Sequence, residues 1–181
     1  MSEGPRKPNC YGCPDDFWYT HPVPMRKQGV MMHLGERFCL GSKKARRFKR
    51  SDPQNNVPGW CPRRKDPCEL RVYGFKSSYE ELLHFRLCQN LGETLSPSEF
   101  RYALIYEGRA KLSPREFWAC CETTPDPTKE ILESPMEIYQ VLEIDDGLKP
   151  IFFYKTEQGF KMLYSFNTEI ARKNKLEEDR D

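Results

Sequence analysis

Histidine and glycine are scarce in this chain, and long apolar runs are missing. Three histidines (His21, His33 and His84) are spread over 181 residues. None stands at a local spacing to a serine and an aspartate, or to a cysteine, that would build a nucleophile–base pair. The eleven glycines form no phosphate-cradling loop. No apolar stretch approaches the ~20 residues that a membrane helix needs, which excludes a helical spanning protein. The opening MSEGPRKPNC has no apolar segment of the secretory kind, so the reading expects no export and a cytoplasmic location in a bacterial cell. Hydrophobic residues make up 38%, the mean hydropathy is -0.80 and there are 15 prolines. That composition argues against a large enzyme-type core and for a chain ordered partly by something other than apolar burial.

What is present divides the chain in two. Residues 1–76 carry 16 Lys/Arg against 7 Asp/Glu, a net of +9; residues 77–181 carry 13 against 20, a net of −7. Five of the eight cysteines and nine of the fifteen prolines fall in the first part. The reading places a boundary near Gly74–Ser77. In front of it lies a basic, cysteine-rich module over 1–76. Behind it lie an α+β domain over 77–167 and a charged tail over 168–181, frayed or disordered. In the module, Lys43–Arg50 fits about two helical turns and Leu70–Phe75 one strand, with Leu70 and Val72 on one face and Arg71 and Tyr73 on the other.

Behind the boundary, Ser78-x-x-Glu81 reads as a capping box for a helix that buries Tyr79, Leu82, Leu83, Leu87 and Leu91, ended by Gly92. Two segments 17 residues apart match each other: Leu95-Ser96-Pro97-Ser98-Glu99-Phe100 and Leu112-Ser113-Pro114-Arg115-Glu116-Phe117. Each offers serine at the N-cap, proline at N1 and glutamate at N3, so short helices are expected throughout 78–122. Ser134-Pro135-Met136-Glu137 repeats the signature. From Ile138 to Phe166 the period is two, with turns at Asp145-Asp146-Gly147 and Glu157-Gln158-Gly159, which predicts a three-stranded antiparallel meander over 138–166.

The cysteines in the first part suggest a metal. Cys10-x2-Cys13 is a tight pair, with Gly12 easing the turn, and Cys39, Cys61 and Cys68 are candidates for the remaining ligands of one tetrahedral zinc. A thiolate-bound zinc supplies folding free energy that a small core cannot. Free, partly buried thiols and an iron–sulfur cluster are the alternatives. His33 could stand in for a cysteine; a solvated loop histidine is the plainer reading. Cys88, Cys120 and Cys121 read as small core residues. Asp15-Asp16 and Asp145-Asp146 are paired carboxylates best read as loop and hairpin turn.

Nine cations form the other signal: Lys43, Lys44, Arg46, Arg47, Lys49 and Arg50, then Arg63, Arg64 and Lys65. If the cysteines share one ion, both clusters lie on one basic surface able to contact phosphates. Phe48, Trp60 and Tyr73 are aromatics placed to stack on bases or to close the small core. A solvated charged loop is the plain alternative.

Four segments carry a resemblance: Cys10-Tyr11-Gly12-Cys13-Pro14, Gly35-Glu36-Arg37-Phe38-Cys39, Lys43-Lys44-Ala45-Arg46-Arg47-Phe48-Lys49, and Trp60-Cys61-Pro62-Arg63-Arg64 running into Arg71-Val72-Tyr73-Gly74-Phe75-Lys76. Together they resemble small proteins of phages, plasmids and conjugative elements of gut Firmicutes, part of which is associated with anti-CRISPR activity against type II systems. The resemblance covers roughly residues 10–76 and brings no catalytic residues. It implies a non-enzymatic inhibitor that binds an RNA-guided nuclease complex, its nucleic acid, or both. A zinc-dependent DNA- or RNA-binding accessory protein of a mobile element is the alternative.

Overall fold

The computed structural model describes residues 10, 13–52, 57–92 and 94–177. The chain divides into two compact units, one of Arg6–Arg64 and one built on Lys65–Asp181. The break therefore falls a dozen residues before the change in composition. The reason is the strand Cys68–Phe75, whose alternating Leu70, Arg71 and Val72 suit a sheet with two covered faces.

In the first unit, β1 (Asp16–Thr20), β4 (Gly35–Cys39) and β5 (Arg46–Arg47) form an antiparallel sheet in the order β1-β4-β5. Between β1 and β4, β2 (Met25–Lys27) and β3 (Val30–Met32) pair as a separate ribbon. Its two-residue turn holds Gln28 and Gly29 at φ 52 and 82, the positive-φ pair a tight hairpin needs. The expected helical turns over 43–50 are absent. Only Arg46 and Arg47 are strand, paired with Cys39 and Phe38, and Lys43 and Lys44 before them lie in bends. Backbone pairing with an existing strand outweighs the weak preference of a short, charged helix.

In the second unit, β6 (Cys68–Phe75) is the inner strand of a five-stranded sheet with β7 (Tyr102–Ala110), β8 (Val141–Asp145), β9 (Ile151–Thr156) and β10 (Gly159–Leu163). The order is β10-β9-β8-β6-β7, and every neighbouring pair is antiparallel. The expected meander is thus three strands of five. The architecture is α+β, with α1 (Ser78–Leu91), α2 (Pro114–Thr123), α3 (Thr128–Ile131) and α4 (Thr168–Lys173) added to the sheet. One sheet face buries Leu70, Val72, Leu142, Ile144 and Phe153 with Phe117 of α2. The other buries Tyr73, Val141 and Tyr154 with Tyr102, Phe166 and Ala171 of α4. Leu70, Leu142, Ile144 and Phe153 are 0% exposed, and each contributes on the order of 2 kcal/mol.

Several expected helix signals resolve otherwise. The N-cap of α1 is Ser77, whose hydroxyl accepts from the Glu80 amide, not Ser78. The helix buries His84 and Cys88, while Tyr79, Leu82 and Leu91 stay exposed. Of the two matched segments only the second makes a helix. Ser113 has a complete capping box with Glu116, whereas Glu99–Arg101 is a single 3-10 turn that runs straight into β7. Ser134–Glu137 starts no helix. The charged tail is ordered where described: Asn167 caps α4, and the Asn174 amide donates to the carbonyls of Glu99, Phe100 and Tyr102.

Candidate nucleic-acid interface

The sheet of the first unit has two unlike faces, set by register. Phe17 lies opposite Phe38, Tyr19 opposite Glu36, and Arg47 opposite Phe38. Directly opposed residues share a face, so Phe17, Tyr19, Glu36, Phe38 and Arg47 stand together. Phe17 and Tyr19 remain 47% and 42% exposed. Arg47 is held across the strand by Glu36 at 2.8 Å. The result is an aromatic surface with a cation at its edge.

The opposite face carries Asp16, Trp18, Arg37, Cys39 and Arg46 by the same register. Here Phe48 and Trp60 pack edge to face, with ring centroids 5.2 Å apart. Arg37 lies over Phe48 and Arg46 over Trp60, at 4.6 and 4.2 Å from the centroids. Arg37 also makes a two-point bond to Asp16, at 2.7 and 2.8 Å, which raises its pKa. Trp60 donates to Asp52, whose other oxygen accepts from the Lys49 amide, and these two bonds lower the Asp52 pKa. Phe48 and Trp60 thus hold arginines in place. Sequence reasoning singled out these two and passed over Phe17 and Tyr19. The usable signal was the run Phe17-Trp18-Tyr19 between Pro14 and Pro22, a short aromatic strand in a charged module.

The nine cations separate. Lys43, Lys44, Arg46, Lys49, Arg50 and Arg64 are exposed and make no ion pair among the described residues. Arg47 pairs with Glu36 and Arg63 with Asp15. Lys65 belongs to the other unit, where Glu69 and Asp145 hold it at 2.9 and 2.7 Å and raise its pKa. Tyr73 is likewise buried in that unit's core and presents no ring for stacking.

The cysteines separate in the same way. Cys68 is a buried residue of the second unit's core, whereas Cys10, Cys13, Cys39 and Cys61 belong to the first unit. Cys10 and Cys13 are joined by a turn, the Cys13 amide donating to the Cys10 carbonyl at 3.1 Å; Tyr11 and Gly12 between them lie outside the described residues. A like turn follows Cys61, with the Arg64 amide donating to its carbonyl at 3.1 Å. Burial raises the Cys10 pKa, Arg37 opposes the rise, and the neighbouring charges of Cys61 and Cys13 add to it. Cys10, Cys13 and Cys61 therefore share one environment. Cys39 ends β4 nearby in the sheet, opposite Asp16. Among the described residues no group of three or more His, Cys, Asp or Glu is arranged to hold a metal ion. The eight cysteines form no disulfide. His33 is exposed and bonds the His21 carbonyl at 2.8 Å. The Asp15-Asp16 carboxylates are taken by Arg63 and Arg37, and Asp145-Asp146 accept from the Gly147 and Leu148 amides.

The second unit holds its own charge cluster. Glu143, 2% exposed, accepts from Arg71 at 3.0 Å, the Tyr73 hydroxyl at 2.6 Å and Arg172 at 3.1 Å. Arg71 also binds Glu69 and Glu107. Every charge here has a partner, so the cluster reads as structure: the buried Glu143 carboxylate is matched by two arginines and a tyrosine hydroxyl. No helix among the described residues is long and apolar enough to cross a membrane. No protein-family model matches this chain, and no curated protein or solved structure is found to match it.

Proposed function

We propose that the Arg6–Arg64 unit binds nucleic acid without chemistry of its own, stacking unpaired bases on Phe17 and Tyr19 and holding phosphates on the exposed cations. The observation that carries this reading is the pair of exposed rings on one sheet face, with Arg47 opposite Phe38 beside them. A soluble surface gains nothing from such rings by itself, and stacking on them contributes about 1–3 kcal/mol per base. Lys43, Lys44, Lys49 and Arg50 supply the long-range, salt-sensitive part of binding.

The two parts are separable by experiment. Fluorescence anisotropy with a labelled single-stranded oligonucleotide should show binding that weakens steeply with salt. Replacing Phe17 and Tyr19 with alanine should weaken it about tenfold or more and leave the salt slope unchanged. Replacing Lys43, Lys44, Lys49 and Arg50 with glutamine should flatten the slope. Failure of the wild type to bind at low salt would end the proposal. The narrower form, inhibition of an RNA-guided nuclease, is supported by the resemblance of the 10–76 segments. It requires the wild type to protect DNA from a guide-loaded nuclease and the glutamine variant to protect it less. Binding without protection leaves the accessory role.

A further inference from the structure

Helix α1 carries apolar side chains on its outer side as well as its inner one. It turns His84 and Cys88 inward, and leaves Tyr79, Leu82 and Phe85 exposed by 69%, 48% and 40%. Positions i, i+3 and i+6 make these three a stripe along one side of the helix. Alongside it runs an open groove of about 680 Å³, whose floor is Met136, Ile138 and Tyr139. Its rim carries Glu81, Glu137 and Glu157, and none of these makes an ion pair among the described residues. Among the described residues lining the groove the one cation is Lys155, already held by Asp126 and the Met136 carbonyl. The groove is therefore apolar at its floor and anionic at its edge.

Its shape is fixed in advance. Tyr139 has φ 68, a left-handed value that is costly for a residue with a large side chain. Two bonds hold it there: its amide donates to the Lys155 carbonyl at 2.8 Å, and its carbonyl accepts from the Tyr102 hydroxyl at 2.7 Å. A floor held rigid in this way loses little freedom when a ligand arrives.

We infer that this groove docks a cationic amphipathic helix of a partner protein, laid beside α1 with apolar residues against Leu82, Phe85 and Ile138. Charge selects this occupant. Three unpaired carboxylates repel phosphate, so nucleic acid is excluded, and they attract lysine and arginine. A second copy offers no matching helix among the described residues: α1 has an acidic first turn, α2 carries Arg115 against Glu116 and Glu122, and α3 and α4 span only four and six residues. The site lies in the unit that the nucleic-acid reading does not use, so either proposal can fail alone.

The test uses the full chain and a fluorescein-labelled helical peptide of leucine and lysine, about five turns long. Its controls are a scrambled isomer of the same composition and a leucine–glutamate counterpart. The amphipathic lysine peptide should bind at least about tenfold tighter than the scrambled one, and the glutamate peptide should not bind. Replacing Leu82 and Phe85 together with serine should weaken binding about tenfold, as loss of central apolar anchors does. Replacing Glu81, Glu137 and Glu157 with glutamine should weaken it and reduce its salt dependence. Equal binding of the scrambled peptide, or unchanged binding by both variants, would overturn the inference. Should a variant misfold by circular dichroism, a photo-crosslinking peptide on the wild type decides. Crosslinks within 78–85 or 136–139 sustain the site; crosslinks only elsewhere refute it.

Discussion

His84 sits inside the second unit with Phe75 and Tyr139 about its ring, at 5.2 and 5.0 Å between centroids, and the Tyr154 hydroxyl 2.9 Å from Nε2. Burial pushes its pKa down, and Arg101 adds to the push. In the unfolded chain the same imidazole titrates near its ordinary value of about 6.5. Below that pH the unfolded state takes up a proton that the folded state refuses, so stability falls as pH drops and levels off below the folded pKa. Asp126 acts in a separate window. Burial works against its charge, yet hydrogen bonds from Lys155 and Thr128 hold its pKa below the usual carboxylate range. Its contribution is complete above the unfolded value of about 3.9 and lost as pH falls through the folded one. Urea midpoints should therefore decline from about pH 6.5 downward, and again below about pH 4. His84→Gln, which keeps a polar partner for Tyr154, should flatten the first decline and leave the second; an unchanged first decline would assign it to another group. At this scale the sequence says least where periodicity is silent. Helical spacing leaves His84 structural or surface, and its burial selects the structural reading. Phe17 and Tyr19 are hard to single out because Phe17-Trp18-Tyr19 is apolar throughout, with no polar alternate to mark a face.

The two matched segments are a natural experiment at the scale of the element. Both read Ser-Pro-x-Glu-Phe, and both offer the same cap chemistry. After Phe117 comes Trp118-Ala119-Cys120-Cys121, with no strand beside it to pair. The helix forms, Phe117 drives into the core 4.7 Å from the Phe153 ring, and burial lifts the Cys121 thiol to about 12. After Phe100 comes Arg101-Tyr102-Ala103-Leu104-Ile105-Tyr106, rich in strand formers, and β6 lies open to receive it. Tertiary pairing overrides the local signal, so the cap at Ser96 is never used. Ser113→Ala should therefore lower stability by about 1 kcal/mol, while Ser96→Ala, at an exposed position with no helix to cap, should change it little. Equal losses in urea unfolding would show that the first segment is also capped. The strands themselves were more legible: the alternation in Leu70–Val72 and the turn sequences after β8 and β9 match the elements found. The helix termini were legible only to within a residue, as Ser77 in place of Ser78 shows.

For the whole molecule, composition and fold divide at different points. Charge and cysteine content change near residue 76, but the chain has already entered the second sheet at Cys68. As an inner strand β6 is paired on both sides, and its neighbours, β7 and β8, lie far along the sequence, where composition gives no hint of them. What remains in front is a unit with almost no core. Among its described residues, Cys39 and Pro58 are the buried apolar positions, against eighteen buried hydrophobic residues together with Pro114 and Pro127 in the unit behind. Burial on that scale does not offset the entropy of ordering the described residues of this unit. A metal would supply the missing free energy, and Cys10, Cys13, Cys39 and Cys61, with Cys68 as the substitute, are the candidate ligands. We propose that four of these thiolates would hold one zinc. The purified protein should then hold about one zinc per chain. Chelation should unfold Arg6–Arg64 while the transition of the Lys65–Asp181 unit stays in place, because that unit's two core clusters contain none of Cys10, Cys13, Cys39 and Cys61. Limited proteolysis with and without chelator, read by mass spectrometry, distinguishes the outcomes. Cleavage confined to the first unit after metal removal supports the zinc site. Protein that carries no metal and resists protease equally in both units would refute it, and would leave the two arginine–aromatic stacks and the Arg37–Asp16 bond as what holds the module together.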